Sequence, residues 1–291
     1  LAHTRSVSYL EDGEIAVIEK DRVAFYTPFL DPVQKSIEQV DWDISSADKG
    51  GYEHFMFKEI MEQPEAIRRT VMPWIQGGRA ALEKLLPPAL VQRMTRLYIV
   101  ACGSSYHVGM IAKYNIEKLA RIPVDVVLAS EFRYCDPIVD GNTLVILISQ
   151  SGETADTLEA LREAKSRGAV TLGIVNVEGS AIAKASDYVL YTKAGPEIAV
   201  ATTKAYSTQL ALTVLIALYL AEQRKTAGEA ACAEILKALL AVPEQLTKIL
   251  EQKEHIQYLA YQYFNNEDIF FIGRNVDYAL SLEGSLKLKE I

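Results

Sequence analysis

Residues 143–168 read TLVILISQSGETADTLEALREAKSRG and contain three patterns in succession. The opening run, TLVILI, is almost wholly apolar, which is typical of a strand buried on both faces of a parallel sheet. The final part has helical spacing and stops at Gly168, as many helices do. The turn between them, SQSGET at residues 149–154, is rich in hydroxyl groups. The stretch predicts a strand–turn–helix unit whose turn carries a function.

The same alternation of strand and helix continues on both sides of this stretch. Further strands are predicted at residues 97–101, 124–129, 169–177 and 188–194, and further helices at residues 105–120, 181–186 and 203–224. Five apolar strands joined by helices indicate a parallel sheet with right-handed crossovers and helices on both faces. We predict an α/β fold of three layers, αβα, around a five-stranded parallel sheet.

Composition and charge exclude several classes of protein. The chain has 291 residues, an apolar content of 49% and a formal net charge of −8. These values fit a soluble globular protein and disfavour nucleic-acid or membrane partners. The longest apolar run, residues 210–221, is about half of the length that a spanning helix needs, so we predict a buried helix. Three cysteines without CxxC spacing indicate a reducing, cytoplasmic compartment.

The chain divides into segments of different character. We predict a small β remnant, a linker with leading helices, a first α/β domain, and a connecting helix followed by a second domain, at residues 1–45, 46–90, 91–226 and 227–291. The chain begins with Leu and ends in KLKEI, inside a helical pattern. We therefore expect both ends to be truncated.

Three local patterns support these segments. Residues 6–27 alternate apolar and polar side chains, with a turn at Asp12 and Gly13, which predicts a β-hairpin. The polar stretch 43–54 predicts a linker, and a helix broken by Pro64 follows it. Residues 268–291 repeat the order strand, glycine, turn and helix, which predicts the start of a second α/β unit.

Three turns at the predicted carboxyl edge of the sheet are rich in small hydroxyl residues. They read CGSS (102–105), SQSGET (149–154) and VATTK (200–204). A helix N-terminus offers unpaired N–H groups and the positive end of its dipole, so small side chains there favour a phosphate. The same residues could serve only as N-caps. The chain contains neither GxxxxGK[ST] nor GxGxxG, which leaves a sugar phosphate as the favoured ligand.

Other candidate groups are less specific. Glu283, Lys287 and Glu290 share one helix face, which indicates either a solvated charged face or a carboxylate base. Cys102 follows a strand, where packing explains it better than a nucleophilic role. The four histidines share no ligand spacing, so we predict neither a metal nor a cofactor.

The hydroxyl turns resemble those of the sugar isomerase (SIS) domain. With DKGGYEHFMFKEIMEQP (48–64), ASEFRY (129–134) and EGSLKLKEI (283–291), the likeness extends to the glutamine–fructose-6-phosphate aminotransferase family, also called glucosamine-6-phosphate synthases. The resemblance implies fructose 6-phosphate and glucosamine 6-phosphate as ligands and a homodimer. Residues 1–45 resemble the last strands of that family's glutaminase domain.

The resemblance also implies roles for individual residues. Sugar and phosphate would be held by Ser104, Ser105, Ser149, Gln150, Ser151 and Thr154, with Val200 and Thr202 bordering the sugar. Glu290 matches the family's base for proton transfer between C1 and C2, and Lys287 matches a neighbouring lysine. The family's nucleophilic cysteine, ring-opening histidine and Schiff-base lysine have no match here, which implies binding without efficient turnover.

Three functions remain open from the sequence. The first is the isomerase portion of an aminotransferase of this family. The second is a non-catalytic SIS-fold sensor of sugar phosphates. The third is an SIS sugar-phosphate deaminase, which the DKGGYEHFM lead-in and the upstream strands disfavour.

Overall fold

The computed structural model of the protein describes residue 4, residues 6–39 and residues 48–291. These residues belong to two compact units, Leu1–Gly50 and Gly51–Ile291. Residues 43–47 of the predicted linker lie outside the described residues, and residues 48–54 contain no helix or strand. The bounds of the four predicted segments stay a prediction.

The first unit consists of short antiparallel strands. They are β1 (Ser6–Val7), β2 (Ile15–Ile18), β3 (Val23–Tyr26), β4 (Pro32–Val33) and β5 (Glu38–Gln39), paired as β1–β5 and β2–β3–β4. The predicted hairpin exists as β2–β3, but its turn is closed by the N–H of Glu19 donating to the carbonyl of Arg22 at 2.9 Å. The Asp12–Gly13 turn lies before β2 and joins no paired strands, because β1 pairs with β5.

The second unit is built on five parallel strands in the order β10-β9-β8-β6-β7. The strands are β6 (Arg96–Ala101), β7 (Val124–Leu128), β8 (Thr143–Ser149), β9 (Val170–Val175) and β10 (Tyr188–Tyr191). The helices are α1 (Phe55–Leu85), α2 (Pro88–Arg93), α3 (Gly103–Ala120), α4 (Ala129–Phe132), α5 (Ala155–Ser166), α6 (Ala181–Ala185), α7 (Lys204–Arg224), α8 (Glu229–Leu250), α9 (Lys253–Tyr263) and α10 (Val276–Glu290). The predicted α/β fold is confirmed.

The two faces of the sheet are covered by different helices. Along β6, Leu97 and Ile99 face a core shared with α1, α2, α3 and α7, whereas Tyr98 and Val100 face α4, α5 and α6. This follows from the alternation of side chains in a strand. Burying each such side chain stabilises the fold by about 1.5–3 kcal/mol, which explains why the central strands are apolar on both faces.

Helix α1 continues through Pro64, so the predicted break there is wrong. Proline has no N–H for the carbonyl four residues earlier, which belongs to Ile60. The side-chain amide of Gln63 donates to that carbonyl at 3.0 Å and replaces the missing bond. A neighbouring side chain therefore offsets part of the cost of the proline.

Helix α7 contains the longest apolar run. By length and composition it is the one candidate for a membrane span among the described residues, but 72% of its most apolar window is buried inside the fold. Tyr219, for example, is buried and donates to the carbonyl of Leu86 at 2.5 Å. The prediction of a buried helix at residues 210–221 is confirmed.

The second predicted α/β repeat is only half formed. Its helix is α10, which packs on α3, but residues 269–273 form no strand. Phe270 and Ile272 are largely exposed there. A strand needs a neighbour to accept its backbone hydrogen bonds, and no strand of the described chain lies beside this segment.

Candidate functional site

A cleft of about 250 Å³ opens at the carboxyl ends of β6 and β8. The chain winds from β6 to β7 on one side of this point and from β8 to β10 on the other. Open α/β sheets bind ligands at such a reversal of strand order. The lining residues are Cys102, Ser104, Ser105, Ile148, Ser149, Gln150, Ser151, Thr154, Glu197, Ala199, Val200, Thr202 and Glu290.

Nine of the ten residues predicted for the site line this cleft, and the tenth, Lys287, is ion-paired with Glu290. Four segments that are separate in the chain are thereby brought together: the turns after β6 and β8, the loop before α7, and the end of α10. Sequence reasoning missed Glu197, and it assigned Cys102 to packing alone. The functional roles of the predicted site residues stay proposals.

The turn after β8 has a shape that only glycine permits at position 152. Gly152 has φ +69°, and a Cβ there would lie 2.1 Å from Ser180 Oγ. Its N–H donates to Ser149 Oγ at 3.0 Å, and the hydroxyl oxygens of Ser149 and Thr154 are 3.0 Å apart. The tight turn thus groups two hydroxyls where β8 passes into α5.

The carboxylates beside this turn do not enter the cleft. Glu153 Oε1 accepts a hydrogen bond from the N–H of Ala181 at 2.8 Å, at the start of α6. Asp156 is exposed and is not among the lining residues. An anion in the cleft therefore avoids the repulsion that these two residues suggest in the sequence.

The hydroxyl groups at the starts of α3 and α5 make no N-capping hydrogen bond. The N-cap residues of α3 and α5 are Cys102 and Thr154, and neither makes a side-chain capping bond. Two positive helix ends therefore face the cleft without a side-chain acceptor from their caps. The lining residues include no Lys or Arg in the described part of the chain, so amides and hydroxyls are the donors available to an anion.

The third hydroxyl turn differs because the carboxylate of Glu197 accepts its hydrogen bonds. Glu197 Oε1 accepts from the N–H groups of Thr203 at 2.9 Å and Ala205 at 3.2 Å, and its Oε2 accepts from the Thr202 hydroxyl at 2.6 Å. The positive end of α7 is thereby already neutralised. Among the three turns, those at α3 and α5 therefore keep a positive helix end open to an anion, and the one at α7 does not.

A chain of charged groups leads from α3 to the cleft. Glu283, only 7% exposed, lies 2.7 Å from His107 Nδ1 and 3.6 Å from the Lys287 ammonium, which also pairs with Glu290. The predicted sharing of one helix face is confirmed, but the face is not simply solvated. Burial, with the charge of Glu283 adding, raises the pKa of the Tyr206 hydroxyl well above its usual range.

Comparisons with known proteins show which family this chain resembles. The SIS domain model matches residues 90–219. The chain is 48% identical to the glutamine–fructose-6-phosphate aminotransferase (isomerizing) of Clostridium acetobutylicum, over 100% of this chain and 48% of that protein. The enzyme of the same name from Caldanaerobacter subterraneus is 49% identical with the same coverage. The chain thus spans about half the length of the curated relatives it matches.

A solved structure shows the same relationship in three dimensions. It is the C-terminal domain of glucosamine-fructose-6-phosphate aminotransferase from Francisella tularensis, 39% identical with a TM-score of 0.78, over 84% of this chain and 69% of that chain. The chain belongs to the glutamine–fructose-6-phosphate aminotransferase (isomerizing) family, and its residues 90–219 form an SIS domain.

Proposed function

We propose that this chain binds fructose 6-phosphate in the cleft and forms the sugar-phosphate part of an enzyme that makes glucosamine 6-phosphate. One observation carries the proposal: two helix ends without side-chain caps and a cluster of hydroxyl groups face the same cleft as the carboxylate of Glu290. The helix ends and the hydroxyl groups suit a phosphate. The carboxylate of Glu290 suits proton transfer at a carbon of the sugar.

The phosphate would lie at the starts of α3 and α5, within reach of their backbone N–H groups. The side chains available to it are those of Ser104, Ser105, Ser149, Gln150, Ser151 and Thr154. Ser105 is itself oriented by its hydroxyl donating to Gln209 Oε1 at 3.0 Å. Val200 and Thr202 would border the sugar.

In the proposed reaction, ammonia replaces the C2 carbonyl oxygen, which leaves as water. A base then removes a proton from C1 while the imine nitrogen gains a proton, which gives an enolamine. A proton is added at C2 while the C1 hydroxyl loses its proton, which leaves an aldehyde at C1 and an amine at C2. Glu290 would carry the proton from C1 to C2, and Lys287, ion-paired with it, would hold its carboxylate in place. For the chain itself we propose binding of the sugar phosphate rather than efficient turnover. A cytoplasmic homodimer completes the proposal.

Calorimetric titration tests the binding. Fructose 6-phosphate and glucose 6-phosphate should bind, inorganic phosphate should bind more weakly, and free fructose and glucose should show no heat of binding. Equal affinity for the phosphorylated and free sugars, or no binding of either, would contradict the proposed function. Sedimentation of the same samples tests the homodimer.

A further inference from the structure

The loop from β10 to α7 contributes four lining residues to the cleft but contains no regular secondary structure. These residues are Glu197, Ala199, Val200 and Thr202. Val200 is fully exposed, so its own packing does not fix the loop. Something else must hold the backbone there if this edge of the cleft is to have one shape.

The carboxylate of Glu59, on α1, holds the middle of this loop. Glu59 Oε1 accepts from two successive backbone N–H groups, those of Ile198 at 2.6 Å and Ala199 at 3.2 Å. Glu59 is only 2% exposed, and its Oε2 has no hydrogen-bond partner among the described residues. Within the described residues, the hydrogen bonds of this carboxylate therefore all go to the loop.

The same face of α1 holds both ends of the loop. Arg69 donates to the carbonyl of Ala194 at 3.1 Å, and the buried Lys204 donates to Glu62 Oε2 at 2.6 Å. Positions 59, 62 and 69 recur at helical spacing, so one stripe of the helix contacts the loop from start to finish. Two consecutive N–H groups bound to one oxygen fix the peptide between Ile198 and Ala199, next to the lining residues.

We propose that Glu59 is a positioning residue that sets the sugar-binding edge of the cleft, although it lies outside the SIS match at residues 90–219. It touches no lining side chain through a hydrogen bond and acts through the backbone of the loop. The inference rests on the proposed function, since it assigns the loop to the sugar and the starts of α3 and α5 to the phosphate.

The test compares two substitutions at this position with a control on the same helix. Glu59→Ala removes the acceptor, and Glu59→Gln keeps an oxygen that can accept both N–H groups. Glu65→Ala removes an exposed carboxylate of α1 whose recorded partner is Arg68. Each variant and the wild type are titrated with fructose 6-phosphate and, separately, with inorganic phosphate.

We expect Glu59→Ala to bind fructose 6-phosphate about tenfold more weakly, which corresponds to about 1.4 kcal/mol, with its affinity for inorganic phosphate unchanged. Glu59→Gln and Glu65→Ala should bind both ligands as the wild type does. Retained phosphate binding also shows that Glu59→Ala is folded. If Glu59→Ala does not fold, the double variant Glu59→Gln with Ile198→Pro takes its place in the comparison. Proline at position 198 removes one of the two N–H donors.

Two results would overturn the inference. One is wild-type affinity of Glu59→Ala for the sugar phosphate; the other is equal weakening for both ligands, which would indicate a general structural role. These outcomes differ from failure of the proposed function, in which the wild type itself does not bind fructose 6-phosphate.

Discussion

The hydroxyl oxygens of Ser149 and Thr154 lie 3.0 Å apart at the N-terminus of α5, and both residues line the cleft. Neither hydroxyl caps the helix, although each belongs to a residue type that often does. The first prediction concerns the proposed contact of both hydroxyls with the phosphate.

Replacing both residues, Ser149→Ala with Thr154→Ala, should abolish stabilisation by fructose 6-phosphate and spare the fold. A ligand at a hundred times its Kd stabilises the wild type by about 2.7 kcal/mol, which a thermal unfolding scan detects. The substitutions themselves should cost about 1–3 kcal/mol, mainly because the N–H of Gly152 loses its acceptor. Ser166→Ala, at an exposed hydroxyl at the end of α5, is the matched control. An undiminished ligand response in the double variant would show that the hydroxyls do not contact the phosphate.

Gly152→Ala should destabilise the fold by about 2–4 kcal/mol, from a left-handed backbone and a steric overlap together. Its new Cβ would lie 2.1 Å from Ser180 Oγ, whereas Gly168→Ala, at φ +84°, meets nothing within 4 Å. The Gly168 variant therefore measures the backbone cost alone, which should be about 1–2 kcal/mol. Urea unfolding of both variants gives the difference, and equal losses would mean that the loop moves aside without cost.

The pH dependence of stability should differ between the wild type and Glu59→Gln. Burial raises the pKa of Glu59 above its ordinary value of 4.5, against the opposing effect of the N–H groups of Ile198 and Ala199. Folding then favours the protonated carboxyl, so this contribution to stability is complete below 4.5 and is lost as the pH rises through the raised value. The free energy of unfolding of the wild type, measured relative to Glu59→Gln, should fall as the pH rises above about 4.5. A difference that stays constant with pH, or one that grows, would contradict the sign.

A double-mutant cycle should find coupling between His107 and Glu283, which join α3 to α10. The pair is 2.7 Å apart and largely buried, so His107→Asn and Glu283→Gln should couple by about 1–3 kcal/mol in urea unfolding. The exposed pair Glu159 and Arg162, on α5, should couple by less than about 0.5 kcal/mol. Coupling no larger than that of the exposed pair would show that the contact does not hold α10 on the sheet domain.

Several local features were predictable because neighbours in the sequence decide them. An apolar run bounded by a turn forms a strand wherever helices cover it, so all five sheet strands were expected. Predictions failed where a distant partner decides the outcome. The Asp12–Gly13 turn does not close the hairpin, because β1 pairs with β5. Residues 269–273 have the pattern of a strand but no strand beside them in the described chain.

The sequence by itself determined the strand–turn–helix units, and it placed most of the hydroxyl groups of the candidate site. Strand direction and the position of each turn follow from local pattern, and parallel strands bring their carboxyl ends to one edge. Tertiary structure alone decided how the edge is completed. Glu59 and the pair His107–Glu283 gain their contacts from partners that lie more than a hundred positions away in the chain. Side-chain spacing along one chain segment cannot encode such contacts, because they depend on how helices pack on the two faces of the sheet.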